Sequence, residues 1–483
     1  MTKNNTKNGG YSMKAEISDF LLKNKPLIRK LINMLSEDYS YVSILGTDTK
    51  GKSYRVAKTT TEVRDNSFAE RGFVARIHNG TNYSEYSFNE ISEEYLEHIA
   101  EEIKRKLNQV SKEISVNSYE IIEEESIKKS AFSELEVNPE EISSAKILEE
   151  LTEIKDAGLA HSDLLANFEV VYNTYHISKI FMSNKKELEQ SYFLGEAYLF
   201  CIARRGDKTK RYFRSFSGKQ GYELLNGLRG SVPEVVDQCI ALLDAKPVKP
   251  GEYEVICAPE ITGLIAHEAF GHGVEMDMFV KNRAKGSEYI GKEVASDICI
   301  MHDGATAAEN MASYLFDDEG TLGTDTIIIR NGILENGISD LLSALKLGTV
   351  PTGNGRRQSY ERKAYARMTN TFFEGGKDSL EDMIASISYG YLLEGSYSGM
   401  EDPKNWGIQC IAMFGREIVD GKLTGKLVSP VVMTGYVPDL LRSISMISET
   451  VSLFGAGFCG KGYKEYVKVS DGGPYIKAKV RLG

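Results

Sequence analysis

Apolar residues recur at helical spacing between Glu16 and Asp38, with Phe20, Leu21, Leu27, Ile28, Leu31, Ile32 and Leu35 falling on one side. That period predicts an amphipathic helix, kinked or divided at Pro26. Residues 39–49 and 51–63 alternate as strands do, and 71–88 predict a hairpin turning at Asn79-Gly80. A second amphipathic helix is predicted over 91–110. Helical spacing returns at 146–159, strand-like alternation at 166–182, 191–205 and 208–222, and a further helix at 232–246. Beyond 247 the chain is rich in short apolar strands and glycine turns. One interruption stands out there: 251–260 reads as a strand running up to Pro259, and 261–273 as the helix that follows it.

A length of 483 residues allows two or three domains, at roughly 150 residues each. Residues 119–150 are acidic, with Glu123, Glu124 and Glu125 together, and read as a solvated connector. Pro247 to Gly251 reads as a linker. The expected organisation is α+β, with an N-terminal α/β domain over 1–130, a mixed α+β domain over 131–246, and a β-rich domain over 247–483. With 41% hydrophobic and 26% charged residues, disorder of the whole chain is excluded. No run of about 18 apolar residues occurs, so no membrane span is expected. Lys and Arg number 58 against 69 Asp and Glu, for a net charge of −11; such a surface repels phosphate backbones and argues against nucleic acid as a partner. Six cysteines without a C-x-x-C pair argue for reduced thiols and a cytoplasmic location. The polar residues 1–12 read as a leader with no secretory signal, and Met13 is an alternative start.

The chemistry concentrates in His267-Glu268-Ala269-Phe270-Gly271-His272. In the familiar zinc motif the histidines are four apart and share a helix face. Here they are five apart, which on a regular helix separates them by about 140°. Both reach one ion only if the helix widens into a π-type turn or ends before the second histidine; Gly271 and Gly273 make either distortion inexpensive. A catalytic zinc usually takes three protein ligands, so a third is needed. The candidates are the remaining histidines, Glu275, Asp277 or a cysteine. Cys201, Cys239, Cys257, Cys299 and Cys410 sit among apolar neighbours and read as core. Cys459 lies in a glycine-rich loop, Phe454 to Gly460, that can present a thiolate to an ion.

The stretch ITGLIAHEAFGHGVEMD (261–277) and Phe458-Cys459-Gly460-Lys461 resemble the TldD/PmbA family of metalloproteases. Asp317 to Thr321, Thr352 to Arg357 and Ala366 to Thr371 agree, and GFVARIHNG (72–80) is similar to the family's N-terminal strand pair. The resemblance is dense from about 250 to the last residue and looser before it. It implies a zinc-dependent peptidase acting on peptides or unfolded segments, with His267, His272 and Cys459 as ligands. It also implies a dimer, either of like chains or with a metal-free TldE/PmbA-like paralogue. The complete H-E-x-x-x-H set places the chain with the catalytic branch. One departure is the segment from Glu394 to Ile408, where the family tends to have G-G-x-V-D followed by G-[DN]-F. The only tryptophan, Trp406, falls in it and reads as core, with contact to a peptide as the sharper alternative.

Given those ligands, Glu268 is expected to act as general base. Arg356, Arg357 and Arg367 are candidates for oxyanion stabilisation or for anchoring a peptide carboxylate, with surface ion pairs as the plainer reading. The competing function is a non-catalytic, peptide-binding subunit of a TldD/TldE-type complex whose metal is structural.

Overall fold

The computed structural model describes residues 13–113, 118–462 and 464–483; the leader read at 1–12 lies outside the described residues. The first helix, Asp19–Leu35, runs unbroken through Pro26. Pro26 is on the solvent side, whereas Leu21, Ile28, Leu31, Ile32 and Leu35 are buried with Val42, Ile44 and Phe73 of the adjoining sheet. That packed stripe holds the helix where one backbone hydrogen bond is missing.

Two long strands, Leu165–Ser183 and Lys186–Arg205, form the spine of a nine-stranded sheet. Tyr41–Lys50 pairs with the end of the first of them and carries the hairpin Glu70–His78 and Tyr83–Phe88 at its other edge. Gly80, in the turn of that hairpin, takes φ 93°, which glycine adopts without strain. Lys208–Gly218 lies beyond the second long strand. Within the acidic stretch read as a connector, Ile127–Phe132 is a strand in parallel pairing with 186–191. The sheet therefore joins strands from both sides of position 130. The helices Ser144–His161 and Leu228–Ala241 bury their apolar faces against the long strands.

In the last region Gly251–Cys257 pairs in parallel with Tyr389–Asp402 and antiparallel with Ile476–Leu482. Together with Gly407–Val419 and Val431–Tyr436, these strands close into a barrel. A second sheet of six short strands, from Met301–Asp303 to Ser470–Gly473, lies beside it. The helix after Cys257 enters the barrel's core: Ile261, Ile265, Ala266, Ala269 and Phe270 share it with Val255, Leu393, Ile408 and Val431. The α+β class, with a β-rich C-terminal region carrying that helix, is the architecture observed. Among the described residues no helix is long and apolar enough to cross a membrane.

Candidate metal centre

Pro259 starts the helix directly after the barrel strand, where its missing N–H costs nothing. After Leu264 the backbone widens: Ile265–Gly271 is a π-helical turn, and His272–Val274 a short 3₁₀ turn. The widening brings the rings of His267 and His272 to a centroid separation of 5.2 Å. Two glycines permit the packing around it. A Cβ on Gly271 would lie 2.1 Å from Met368 Sδ, and one on Gly273 would lie 2.6 Å from Glu401 Oε1.

Cys459 meets both histidines. Its Sγ lies 3.1 Å from His267 Nε2 and 3.5 Å from His272 Nε2. The three ligating atoms all fall within 4.8 Å of one another, the one such grouping of His, Cys, Asp or Glu found among the described residues. The other five cysteines are buried elsewhere. His78, His161, His176 and His302 are engaged with Tyr119, Asp237, Glu16 and Asp325.

Charged side chains hold the three in place. His272 Nδ1 lies 3.3 Å from Glu275 Oε2; once the ring gives up a proton to an entering cation, that carboxylate keeps the remaining one on Nδ1 and leaves Nε2 free to bind. Glu275 in turn receives Lys461 Nζ at 2.8 Å and is 3.3 Å from Arg367 Nε. Lys461 also donates to Asp277 Oδ1 at 2.7 Å. Glu275 and Asp277, candidate ligands by position, thus stand behind the histidine rather than with it. The fully buried Arg367 donates from Nη2 to Cys459 Sγ and to Cys459 O, both at 2.9 Å. Asp471 Oδ2 lies 4.0 Å from His267 Nδ1, a buried nitrogen with no hydrogen-bond partner.

Burial disfavours charge on the two histidines and on Cys459, yet the attraction among the three overrides it. Burial pulls the His267 pKa down, but the Cys459 thiolate outweighs that and holds it at about 9. Burial pushes the Cys459 thiol up, and the two imidazoliums hold it well below its ordinary value. A thiolate facing two imidazoles that release protons when a cation enters is a donor set suited to a borderline-soft divalent ion.

Glu268 follows His267 on the widened turn and is half-buried, its side chain packed against Gly399 of the strand Tyr389–Asp402. The three arginines are engaged within the fold, two of them in ion pairs that are buried rather than at the surface. Arg367 holds Cys459, Arg357 is buried 2.9 Å from Glu85, and Arg356 donates to Met368 O at 2.7 Å. Trp406 is fully buried against Phe270, Tyr289 and Tyr436, which makes it a core residue. Sequence reasoning missed Glu401, whose two carboxylate oxygens are buried without a hydrogen-bond partner beside Gly273. Burial pushes its carboxyl well above the usual range, opposed by His272 and reinforced by Glu275 and Glu268. It also missed Asp471 and the link from Arg367 to Cys459; no local spacing signals either. Glu275 did carry a signal, three residues after His272 and hence one helical turn away.

Residues 250–481 match the family model of the PmbA/TldA metallopeptidase C-terminal domain, so the class is that of a metallopeptidase. A metalloprotease of Methanocaldococcus jannaschii is 30% identical over 315 residues, covering 65% of this chain and 69% of the relative. A zinc metalloprotease TldD homologue of Saccharolobus solfataricus is 31% identical over 304 residues, 58% of this chain and 62% of the relative. The chain belongs to the TldD/PmbA family. The solved structure of TldE from Thermococcus kodakarensis has the same fold, with a TM-score of 0.71 at 18% identity, covering 95% of this chain and 100% of that one. A protein of Thermotoga maritima described as a modulator of a DNA gyrase matches at a TM-score of 0.75, also at 18% identity, over 95% and 100% of the two chains.

Proposed function

We propose that this chain is a zinc-dependent peptidase that cleaves flexible peptides and unfolded segments of polypeptide, with His267, His272 and Cys459 as the zinc ligands and Glu268 as general base. The observation that carries the reading is the convergence of two Nε2 atoms and one thiolate within 4.8 Å, with Glu268 adjacent in the chain to the first of them. Zinc held by this set supplies a Lewis acid for a scissile carbonyl and lowers the pKa of a water molecule toward neutrality. Three protein ligands favour catalysis over a structural role, because structural zinc is normally closed by four. That weighs against the non-catalytic, peptide-holding subunit.

The chain's own groups divide the remaining tasks. Glu268 takes a proton from the attacking water and returns it to the leaving amine. Glu275 orients the His272 ring, and Arg367 holds the Cys459 sulfur by a hydrogen bond in the buried site. The chain works as a dimer, with a second copy or with a metal-free TldE/PmbA-like paralogue, in the cytoplasm. The test is metal content together with cleavage of an unstructured peptide. Wild type is expected to bind zinc and cut; Glu268→Gln is expected to keep zinc and lose about two or more orders of magnitude in turnover. Alanine at His267, His272 or Cys459 is expected to lower zinc occupancy. Near-normal turnover in Glu268→Gln overturns the role given to Glu268.

A further inference from the structure

The loop that presents Cys459 is clamped from outside the barrel. Glu196, in the middle of the long strand Lys186–Arg205, is a buried carboxylate, 2% exposed. Its own sheet satisfies one oxygen: Asn173 Nδ2 donates to Oε1 at 2.9 Å and Tyr175 OH at 2.8 Å. The other oxygen points at the metal loop and accepts the backbone N–H of Gly457 at 3.0 Å and a hydrogen bond from Lys468 Nζ. Lys468 Nζ closes the circuit by donating to Gly457 O at 3.0 Å. Both polar groups of Gly457 are thereby fixed two residues before Cys459, at a φ of 100° that an L side chain rarely adopts.

The neighbouring residues are held in the same way. Phe458 stacks on Phe68 at 3.8 Å between centroids, with the Lys468 ammonium 3.9 Å from its ring centre. Ser217 Oγ accepts Gly455 N–H at 2.9 Å. A segment with glycines at 455, 457 and 460 has much backbone freedom to lose, and a cation binding its thiolate has to order it unless something else already has. A buried ion pair such as Glu196–Lys468 adds little net stability, since desolvation offsets attraction, but it fixes geometry.

We propose that Glu196 is a positioning residue for the Cys459 thiolate, so that the long-strand sheet sets how tightly the three-ligand site holds zinc. The inference rests on the ligand set proposed above. Glu196 bonds to none of the three ligand side chains and acts through Gly457 and Lys468. A purely structural clamp between the sheet and the barrel region would change thermal stability and leave metal affinity alone.

The test uses the full chain and zinc alone. Zinc affinity is measured by competition with a chromophoric chelator, and the rate of Cys459 modification by an aromatic disulfide is measured on metal-free protein. Glu196→Gln is expected to weaken zinc binding by about tenfold or more, the range seen when groups orienting a ligand are removed, and to speed thiol modification. Phe68→Leu, which loosens the same loop without disturbing a buried charge, is expected to shift both readings in the same direction and serves where Glu196→Gln fails to fold. Zinc affinity unchanged in both variants, with affinity lost in Cys459→Ala, overturns the positioning role and leaves the ligand set standing. Affinity unchanged in Cys459→Ala as well overturns the ligand set and the positioning role with it.

Discussion

Gly399 and Glu268 are pressed together: a Cβ on Gly399 would lie 2.4 Å from Glu268 Cγ and 2.9 Å from Glu268 Cβ. The strand that carries Gly399 shifts register between Ser396 and Ser398, immediately before this contact. The segment that departs from the family pattern is therefore the wall against which the proposed general base rests.

Gly399→Ala is accordingly a test of base placement. The added methyl also meets Leu264 Cδ1 at 2.9 Å, so the side chains of Glu268 and Leu264 both have to move. The variant is expected to keep its zinc, to lose about 1–3 kcal/mol of stability through overpacking, and to lose about a hundredfold in turnover through misplacement of a reacting group. Metal content, denaturant unfolding and peptide cleavage measured on one preparation separate the three effects. Wild-type turnover in a folded, zinc-loaded Gly399→Ala protein counts against Glu268 as the base.

Glu275 offers a second test, because it supports the site without entering the ligand set. Glu275→Gln keeps the shape but leaves Lys461 and Arg367 without their shared carboxylate. Zinc affinity is expected to fall by about 10–100-fold, as for other partners of a metal-binding histidine, while Asp277 retains Lys461. Competition with a chelator gives the number. Unchanged affinity would mean that the ring of His272 needs no help in facing the ion.

The approach of the two histidines was legible because both lie within six residues, and their five-residue spacing required either a widened turn or a helix end before the second; the backbone widens at Ile265–Gly271 and passes into a 3₁₀ turn at His272–Val274. Cys459 was legible in part, through the glycines around it. Asp471 and Glu401 were not, since each reaches the site through strand pairing that no local period encodes; Arg367 was a candidate by its segment, but nothing local pointed to its bond with Cys459. Asp471, for example, sits on Ser470–Gly473, placed by parallel pairing with Asn370–Phe373 about a hundred residues earlier. The same limit explains Ile127–Phe132: acidic surroundings made it read as connector, and only its parallel partner at 186–191 makes it a strand. Pro26 was read too strictly, because an exposed proline on a well-packed helix leaves the buried stripe intact.

Glu70 gives a pH test away from the site. Burial pushes its carboxyl up to about 7; Lys179 and Arg357 pull it down, Asp318 pushes it up, and the Tyr360 N–H donates to it at 2.9 Å. A carboxyl whose pKa is raised in the folded state binds a proton there that the unfolded chain has lost. Its contribution to stability is full below the unfolded value and is lost as pH rises through about 7. At roughly 1.4 kcal/mol per pKa unit, less an allowance for the partial exposure of the side chain, the loss is about 2 kcal/mol. Glu70→Gln is expected to flatten the fall in stability between about pH 5 and 8, read by urea unfolding at each pH. A slope equal to that of the wild type would place the proton elsewhere.

The last prediction concerns what is cut. Gly251–Cys257 pairs with only residues 390–393 of the strand Tyr389–Asp402, and Gly395 N–H is taken by Glu260 Oε1. Beyond that point, no strand among the described residues pairs with its second edge, while Tyr397 and Met400 are exposed and Glu268 lies against Gly399. An extended substrate that adds itself to such an edge is recognised by main-chain hydrogen bonds, which ignore side-chain identity. Selectivity then depends on whether the segment is free to extend. Opening a stable domain costs about 5–15 kcal/mol, so a folded protein presents the required conformation far too rarely to compete. One polypeptide digested in its native form and as a destabilised variant, under matched conditions, is expected to be cut fast only in the second case. Equal rates for the two forms would mean that the site does not need an extended chain, and the edge-pairing account would fall.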